Sequence, residues 1–341
     1  MNYPFVSALL SEIAPTLGIQ IEFEPEFSFV GEIIFPDGKK HLFKNANLNL
    51  NPSASSAIAQ DKSYTKYFLR KNGFNVPLGK TFFSETLNNR LAPESRRGIA
   101  AAGRFAGSLG LPVFVKPNNL SQGAWVTKVY DMPSMAAICN HIFSRTDVLL
   151  VEQVCQGRDY RVVVLGGTVI SAYERFPLAV YGDGMRTIQQ LLVAAQQSLT
   201  HRGRPGSQIN PHDPRIDIKL ADMGLSRKTI LPAGQKTFLL DNSNLSTGGT
   251  SVDFTDTIHQ SFAELAITAT ASLGLRIAGV DIICRDLCTD AATQPWNIIE
   301  INSAPGLNNY AALGPEQRER VKALYRQILL LIQQESTITQ H

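Results

Sequence analysis

Charge is scarce in this 341-residue chain. Charged residues make up 18%, the formal net charge is only +3, and no basic run is interleaved with aromatics. A nucleic-acid binder needs a concentrated cationic face, so no nucleic-acid partner is expected. Long apolar runs are also missing. None approaches the roughly eighteen residues of a membrane span, so no membrane partner is expected either. The N-terminus carries Glu12 and has no Lys or Arg ahead of its apolar residues, which does not make a secretory leader. Cysteine is limited to Cys139, Cys155, Cys284 and Cys288. Their spacing builds no disulfide framework, and Cys284 with Cys288 lacks a second Cys/His pair at zinc-like spacing. Internal repeats and low-complexity segments are absent. These absences point to a reduced, cytoplasmic globular protein. With 44% hydrophobic residues it is long enough for two or three subdomains around a substantial core.

The most informative stretch is Trp296–Gly306, WNIIEINSAPG, an apolar strand ending in a turn. Alternate strand residues share a face, so Glu300 and Asn302 project together while Ile299 and Ile301 face the other way. A carboxylate beside an amide carbonyl offers the hard oxygen ligands that magnesium takes. Some twenty residues earlier, Gly279–Cys284 carries Asp281 among apolar neighbours. If the two strands form a hairpin around the polar loop 285–295, Asp281 reaches the same cation.

In chain order, residues 1–50 read as a small opening module of one helix and three short strands, with Asp37-Gly38 as a hairpin turn. A helix is expected over Ser53–Lys71, carrying Asp61-Lys62 and, one turn later, Lys66. A second helix is expected over Pro93–Leu109. Residues 112–117 then read as a buried strand ending in Lys116, followed by a small polar loop with Ser121, Gln122 and Gly123. A lysine point charge beside a loop of backbone N–H donors suits a polyphosphate, although the glycine–lysine order is not that of a Walker A motif. A helix is expected near Pro133–Phe143, then the almost uniformly apolar strand Val148–Val154, which implies burial on both faces. Glu152, Gln153, Cys155 and Asp159 follow as a strand end and turn, or as the edge of a purine slot. Tyr160–Leu165 and Thr168–Arg175 make the clearest hairpin, turning at Gly166-Gly167. An ideal two-residue hairpin pairs Arg161 with Ala172 and puts Arg175 on the other face, so a bulge or strong twist is needed for both arginines to reach one phosphate. A helix near Thr187–Leu199 and a long exposed loop over Thr200–Pro214 come next. Lys219 lies in helical or irregular structure, and a strand is expected over Thr237–Leu240. Small residues in the loop Ser246, Thr247, Gly248 and Gly249 permit close approach to a ligand. Helices over Asp256–Leu273 and Pro315–Gln334 flank the two metal strands, and residues 335–341 read as a disordered tail.

The order of these parts resembles the ATP-grasp superfamily: a lysine on an early helix, VFVKP with a polar loop, VEQ…GRDYR, and paired strands ending GVD and EIN. The resemblance covers residues 45–330. More narrowly, GRDYRVVVLGG, GDG before a helix, PAGQ, NLSTGG and EINSAPGL look like the ATP-grasp portion of cyanophycin synthetase. They are also similar to the ligase module of bifunctional glutamate–cysteine ligase/glutathione synthetase.

The resemblance implies an α+β ATP-grasp fold, with nucleotide held between two α+β lobes and preceded by a short N-terminal module. Its expected parts are the module at 1–50, a linking part at 51–112, a small lobe with lid at 113–160, a large lobe at 161–334 and a tail at 335–341. It implies an ADP-forming carbon–nitrogen ligase that uses ATP and Mg2+, with Mn2+ as a substitute. The partners are small-molecule carboxylate and amine substrates, amino acids or short peptides, and a homo-oligomer is left open. In this scheme Lys62 and Lys116 hold the α/β phosphates, with Ser121, Gln122 and Gly123 in the phosphate loop. Glu152, Gln153, Cys155 and Asp159 line the adenosine site. Asp281, Glu300 and Asn302 hold the metal. Arg161 and Arg175 steady transferred phosphate or acyl phosphate, Ser246–Gly249 belong to the acceptor loop, and Gln122–Trp125 forms a water-excluding lid. Trp125 stands where a second glycine is common in such relatives, which stiffens the lid or brings an aromatic near the substrate. The larger leading domain and Mur-ligase-like trailing domain of cyanophycin synthetases are absent, so two alternating additions by this chain alone are not expected. The alternatives are a glutathione-synthetase-like addition of glycine to a γ-glutamyl dipeptide, and a non-catalytic ATP-binding regulator.

Overall fold

Short strands with one apolar face open the chain: β1 (Gln20–Phe23), β2 (Val30–Ile34) and β3 (Lys40–Lys44) form an antiparallel meander. Its inner residues Ile33 and Phe43 join Leu9, Leu10 and Ile13 of the Phe5–Ile13 helix. The same core takes in Leu324, Ile328 and Leu329 of the C-terminal helix Pro315–Ile338. The opening module is thus seated on the last helix rather than folded by itself. The computed structural model describes residues 3–120, 123–201 and 208–338.

A four-stranded sheet follows, built from β4 (Gly79–Phe83), β5 (Val113–Pro117), β6 (Thr127–Val129) and β7 (Val148–Gln153) in the order β4-β7-β5-β6. All its pairings are antiparallel. The near-uniform apolarity of β7 fits its central place, where Leu149, Leu150 and Val151 are all buried. Helices Ile99–Leu109 and Met132–Phe143 contribute Ala102, Ala106, Met135 and Ile142 to the core of this small lobe.

The larger sheet contains β8 (Arg158–Leu165), β9 (Thr168–Phe176), β12 (Thr250–Asp253), β13 (Ile277–Cys284) and β14 (Trp296–Asn302), in the order β12-β9-β8-β13-β14. Between β9 and β12 the chain makes an excursion with its own two-stranded ribbon, β10 (Ala179–Tyr181) and β11 (Lys236–Phe238). Helices Ile188–His201 and Pro214–Asp222 complete this inserted subdomain, whose separate core includes Leu178, Leu192, Ile216, Leu231 and Leu239.

Alternation along the large sheet explains where the site falls. Tyr160, Val162, Ala278, Val280, Ile282 and Ile301 face one side and bury Phe262, Ala266 and Ala269 of the Gln260–Ser272 helix. The opposite face is divided. Val163, Leu165, Tyr173 and Ile277 belong to the core shared with the opening module. Asp159, Arg161, Arg175 and Asp281, at the other end of the same strands, remain for chemistry.

Several expected elements differ in detail. The expected Ser53–Lys71 helix is two helices, Ser53–Gln60 and Lys62–Lys71, broken at Asp61, whose backbone is extended. Asp61 caps the second helix by accepting from the N–H groups of Ser63 and Tyr64, a contribution of about 1 kcal/mol. The helix expected from Pro93 starts at Ile99, after a single turn at Pro93–Ser95. That expected from Asp256 starts at Gln260, capped by His259. The closing helix continues through Ile338, into the stretch read as a tail, and residues 339–341 lie outside the described residues. Asp213 and Ile209, placed by sequence in an exposed loop, are buried.

Candidate functional site

The two acidic strands do pair as a hairpin: β13 and β14 are antiparallel, with Asp281 opposite Glu300 and Gly279 opposite Asn302. A bulge after this pair sets Ile282 opposite Ile298. Ile298, rather than the expected Ile299, therefore accompanies Ile301 in the core. A second bulge, between Val163 and Val164, decides the fate of the arginines. It moves Arg161 from its ideal partner to Tyr173 and places Arg175 opposite Asp159, so both guanidiniums share one face. Arg161 grips Asp281 with two bonds, Nε to Oδ1 at 2.6 Å and Nη2 to Oδ2 at 2.7 Å. Arg175 Nη2 lies 3.0 Å from Asp281 Oδ2, while its Nε donates to Asp159 at 3.1 Å. In this row Asp281 and Arg175 are buried, and Asp159 and Arg161 half-buried.

Across the cleft, the small lobe presents a second buried cluster. Glu152 on β7 is ion-paired through one oxygen to Lys66 and through the other to Lys116 on β5. All three side chains are under a tenth exposed. Lys62, one helical turn before Lys66, links the lobes. Its Nζ donates to the Leu120 carbonyl at 2.6 Å and stands 3.4 Å from Glu300 Oε1. Asn118 ties the start of the polar loop to the same helix, donating to Asp61 Oδ2 at 2.8 Å and accepting from the Ser63 N–H.

Burial and charge shape the protonation of these groups. Burial pushes the Lys66 ammonium down to about 8, the Lys116 charge adds to this, and the attraction of Glu152 opposes it. For Lys116, burial works against the charge but the attraction of Glu152 outweighs it, so its pKa is raised. Burial would raise Glu152, yet Lys116 and Lys66 hold its carboxyl below the usual range. Asp281 is likewise lowered, burial being overcome by Arg161 and Arg175. Asp159 goes the other way: burial dominates, the nearby Asp281 charge adds to it, and Arg175 does not compensate. Burial raises the Cys155 thiol to about 11, helped by the charge of Glu152, so it is no nucleophile.

The structure thus gathers Lys62, Lys116, Glu152, Asp159, Arg161, Arg175, Asp281 and Glu300 into one contiguous charged cluster. It also adds Lys66, which sequence reasoning noticed on the helix but left out of the site. The missed signal is the buried stripe Lys62, Thr65, Lys66, Leu69, in which lysines occupy positions that an apolar face normally fills. Glu152 is committed to two ammonium groups in this state rather than standing free at a strand edge. Gln153 donates its backbone N–H to the carbonyl of Leu78, just before β4, at 2.9 Å.

Two expectations about loops change. Ser121 and Gln122 lie outside the described residues, whereas Trp125 is described and turns toward its own lobe. Its ring lies 4.0 Å from that of His141, and the Arg145 guanidinium sits 4.4 Å above it. Of the two roles considered for Trp125, stiffening the loop is the one this packing fits. In the second loop, Ser246 and Thr247 bond back to Asn244. The small size of Gly249 serves the chain itself: a Cβ there would come within 2.6 Å of the Phe176 carbonyl and 2.8 Å of the Asn244 carbonyl. One at Gly248 would meet Ile209 at 2.5 Å. Internal packing alone already requires glycine at both positions.

The hard-cation reading rests on Glu300, Asn302 and Asp281. Glu300 is 28% exposed and so keeps part of its carboxylate accessible. The Asn302 amide nitrogen is buried with no partner. A half-turn of that amide would present its oxygen instead, the end a hard cation takes. Asp281 has both oxygens on guanidinium groups, but a carboxylate accepts at about four lone-pair sites and can serve a cation as well. Among the described residues no group of three or more His, Cys, Asp or Glu is arranged for a metal.

Comparison with known proteins accords with this geometry. Residues 87–180 match the family model described as D-ala D-ala ligase C-terminus, and residues 240–317 match the RimK-like ATP-grasp domain. The two helices of the inserted subdomain and its strand β11 lie between the two matches, and β10 begins at the end of the first. Cyanophycin synthetase from Geminocystis herdmanii is 30% identical over 271 residues, covering 75% of this chain and 28% of that protein. The glutathione biosynthesis bifunctional protein GshAB from Mannheimia succiniciproducens is 32% identical over 273 residues, covering 77% of this chain and 34% of that protein. The chain therefore spans about a third of the length of these relatives. Among solved structures, a bifunctional glutathione synthetase from Pasteurella multocida aligns over 96% of this chain and 44% of its own. Its TM-score is 0.57, at 27% identity. No helix among the described residues is long and apolar enough to cross a membrane.

Proposed function

From the premise that this chain belongs to the ATP-grasp superfamily of ligases, we propose that it joins a carboxylate to an amine through an acyl phosphate. The substrates are amino acids or short peptides, as in a cyanophycin-synthetase-like reaction. One observation carries the reading. Lys62 bridges the phosphate-loop carbonyl of Leu120 and the Glu300 carboxylate, which brings a buried cationic cluster against an acidic metal-type strand.

In this reading Lys66, Lys116 and Lys62 neutralise the triphosphate, exchanging Glu152 and Glu300 for phosphate oxygens. Gln153, Cys155 and Asp159 flank the adenosine, and Glu152 stands at its edge. Glu300, Asn302 and Asp281 would hold Mg2+, which when bound neutralises phosphate charge and orients the reacting phosphoryl group. Arg161 and Arg175 steady the transferred phosphate or acyl phosphate beside them. The substrate carboxylate oxygen bonds to the γ-phosphorus as the bond to the ADP oxygen breaks. The amine nitrogen then adds to the acyl carbon, and the tetrahedral oxyanion collapses, releasing inorganic phosphate and a proton. Catalysis here is positioning and charge neutralisation rather than covalent chemistry by the protein. In the same reading the loop Ser246–Gly249 contributes to the acceptor site.

The test is a screen for ATP-dependent phosphate release over pairs of amino acids and dipeptides, with products identified by mass. ADP, phosphate and one new amide are expected together. AMP with pyrophosphate would defeat the acyl-phosphate mechanism.

The depressed Lys66 pKa adds a pH dependence. The free protein holds Lys66 charged below about pH 8, and only the charged form pairs with phosphate. ATP affinity is therefore expected to be flat below that pH and to weaken above it, approaching about tenfold per pH unit. Calorimetry between pH 7 and 9.5 in two buffers of different ionisation enthalpy should show proton uptake on binding at the upper end. Lys66→Met should remove the upper limb, and a pH profile unchanged by that substitution would remove Lys66 from the phosphate site.

A further inference from the structure

The inserted subdomain touches the small lobe through a set of contacts that the proposed chemistry does not use. At the start of its second helix, Asp213 is buried and accepts three bonds from the Arg215 side chain, Nε at 3.0 and 3.1 Å and Nη2 at 2.6 Å. Asp213 also caps that helix through the Arg215 N–H, and Arg227 holds the Asp213 carbonyl at 3.0 Å. Locked in this way, the guanidinium has one nitrogen left to aim. Nη1 donates across the lobe boundary to the carbonyls of Gly123 at 2.8 Å and Val126 at 3.3 Å.

Other groups converge on the same boundary. The Asn242 amide approaches the Gly123 carbonyl at 3.4 Å. Tyr130, just after β6, donates to Asp241 at 2.8 Å, and Lys219 joins both, 2.7 Å from Asp241 and 3.0 Å from the phenol oxygen. Ile218 packs against the small-lobe core. The turn being held is one that the chain does not adopt freely. Gly123 has φ +64° and Trp125, with a full side chain, has φ +58°. A Cβ at 123 would also collide with the Asn242 amide. A left-handed non-glycine residue persists only where its surroundings impose it.

We propose that Arg215 is a positioning residue: it fixes the Gly123–Val126 turn to the inserted subdomain, and so sets the approach of the small lobe to the reaction face. This rests on the ligase reading above and extends it. The inserted subdomain acts as a clamp on the nucleotide-side lobe. Arginine suits the task because its planar fork can be held on two nitrogens by a carboxylate while a third stays directed, which a lysine cannot reproduce.

The experiment compares wild type, Arg215→Ala and Arg215→Lys by two readouts. Amide hydrogen exchange across 123–127 reports the turn directly and needs no substrate. Exchange at least tenfold faster in Arg215→Ala, with β5 and β7 unchanged, is expected. Phosphate and amide release with and without amine report the consequence. Ligation kcat should fall at least tenfold while ATP affinity stays within about twofold. Millimolar guanidinium should restore part of the rate to Arg215→Ala, and Arg215→Lys should fall between the two. Asn242→Ala, which removes a weaker contact to the same carbonyl, should shift exchange in the same direction and serves if Arg215→Ala does not fold. Unchanged exchange at 123–127 in both variants would overturn the proposal. So would parallel loss of ATP affinity, melting temperature and activity without guanidinium rescue. A wild-type protein that binds ATP yet ligates nothing would sink the ligase reading and leave the exchange result to decide the clamp.

Discussion

Glu152→Gln is expected to cost about 3–5 kcal/mol of stability in the nucleotide-free protein, the usual penalty for removing one partner of a buried ion pair. The substitution keeps the shape and removes the charge that Lys66 and Lys116 share. Two ammonium groups, both under a tenth exposed, would then repel each other with no anion between them. Loss of Lys116 alone would be milder, because Lys66 would still pair Glu152. The consequence for nucleotide binding separates two roles. If the carboxylate chiefly holds the lysines apart until phosphate arrives, ATP supplies the missing negative charge. Saturating ATP should then raise the melting temperature of Glu152→Gln by more than it raises the wild type. If the carboxylate chiefly reads the adenine amine, ATP should rescue the variant less than the wild type. Thermal melts with and without ATP decide between them, and an unchanged apo melting temperature would show that the triad carries no strain to relieve.

Much of this site was legible because strand and helix periodicities are strict. The spacing of Glu300 and Asn302, the Asp281 hairpin and Lys116 at a strand end all followed from counting by two. What escaped were departures from periodicity. The bulge at Val163/Val164 brings Arg161 and Arg175 to one face, and that at Asp281/Ile282 exchanges Ile299 for Ile298 in the core. A bulge inserts one residue and leaves no composition signal when the inserted residue is an ordinary isoleucine. Lys66 escaped for a different reason. Its helix carries lysines on the buried stripe and on the solvent side alike, and only the arrival of Glu152 from a strand 86 positions away distinguishes them. For Trp125, read as stiffening its loop or as an aromatic near the substrate, and for the Gly248-Gly249 pair, loop composition is the whole of the sequence signal. Their neighbours, His141, Arg145, Ile209 and Phe176, are brought together only by tertiary folding.

Glu300→Ala is expected to lower magnesium-dependent turnover by about a thousandfold or more, several kcal/mol of lost transition-state stabilisation, while leaving the fold intact. Of the three acidic-strand groups it is the one whose removal reads cleanly. Asp281 neutralises two buried guanidiniums, so Asp281→Asn would perturb Arg161 and Arg175 together and confuse loss of folding with loss of chemistry. Glu300 is 28% exposed and meets Lys62 only at 3.4 Å, so little of the structure depends on it. Removing it should even free Lys62, whose contact with the Leu120 carbonyl remains. Binding of ATP without metal should therefore be equal or slightly tighter in Glu300→Ala, while the further gain on adding magnesium should shrink. That combination, nucleotide affinity kept and metal response lost, is what a metal ligand predicts and a general electrostatic defect does not. Titrations of ATP with and without magnesium, beside phosphate release at several magnesium concentrations, supply the comparison. Wild-type turnover with an unchanged magnesium dependence would take Glu300 out of the metal site. The pairing of β13 with β14 would then be a structural hairpin whose acids serve only to hold Arg161, Arg175 and Lys62.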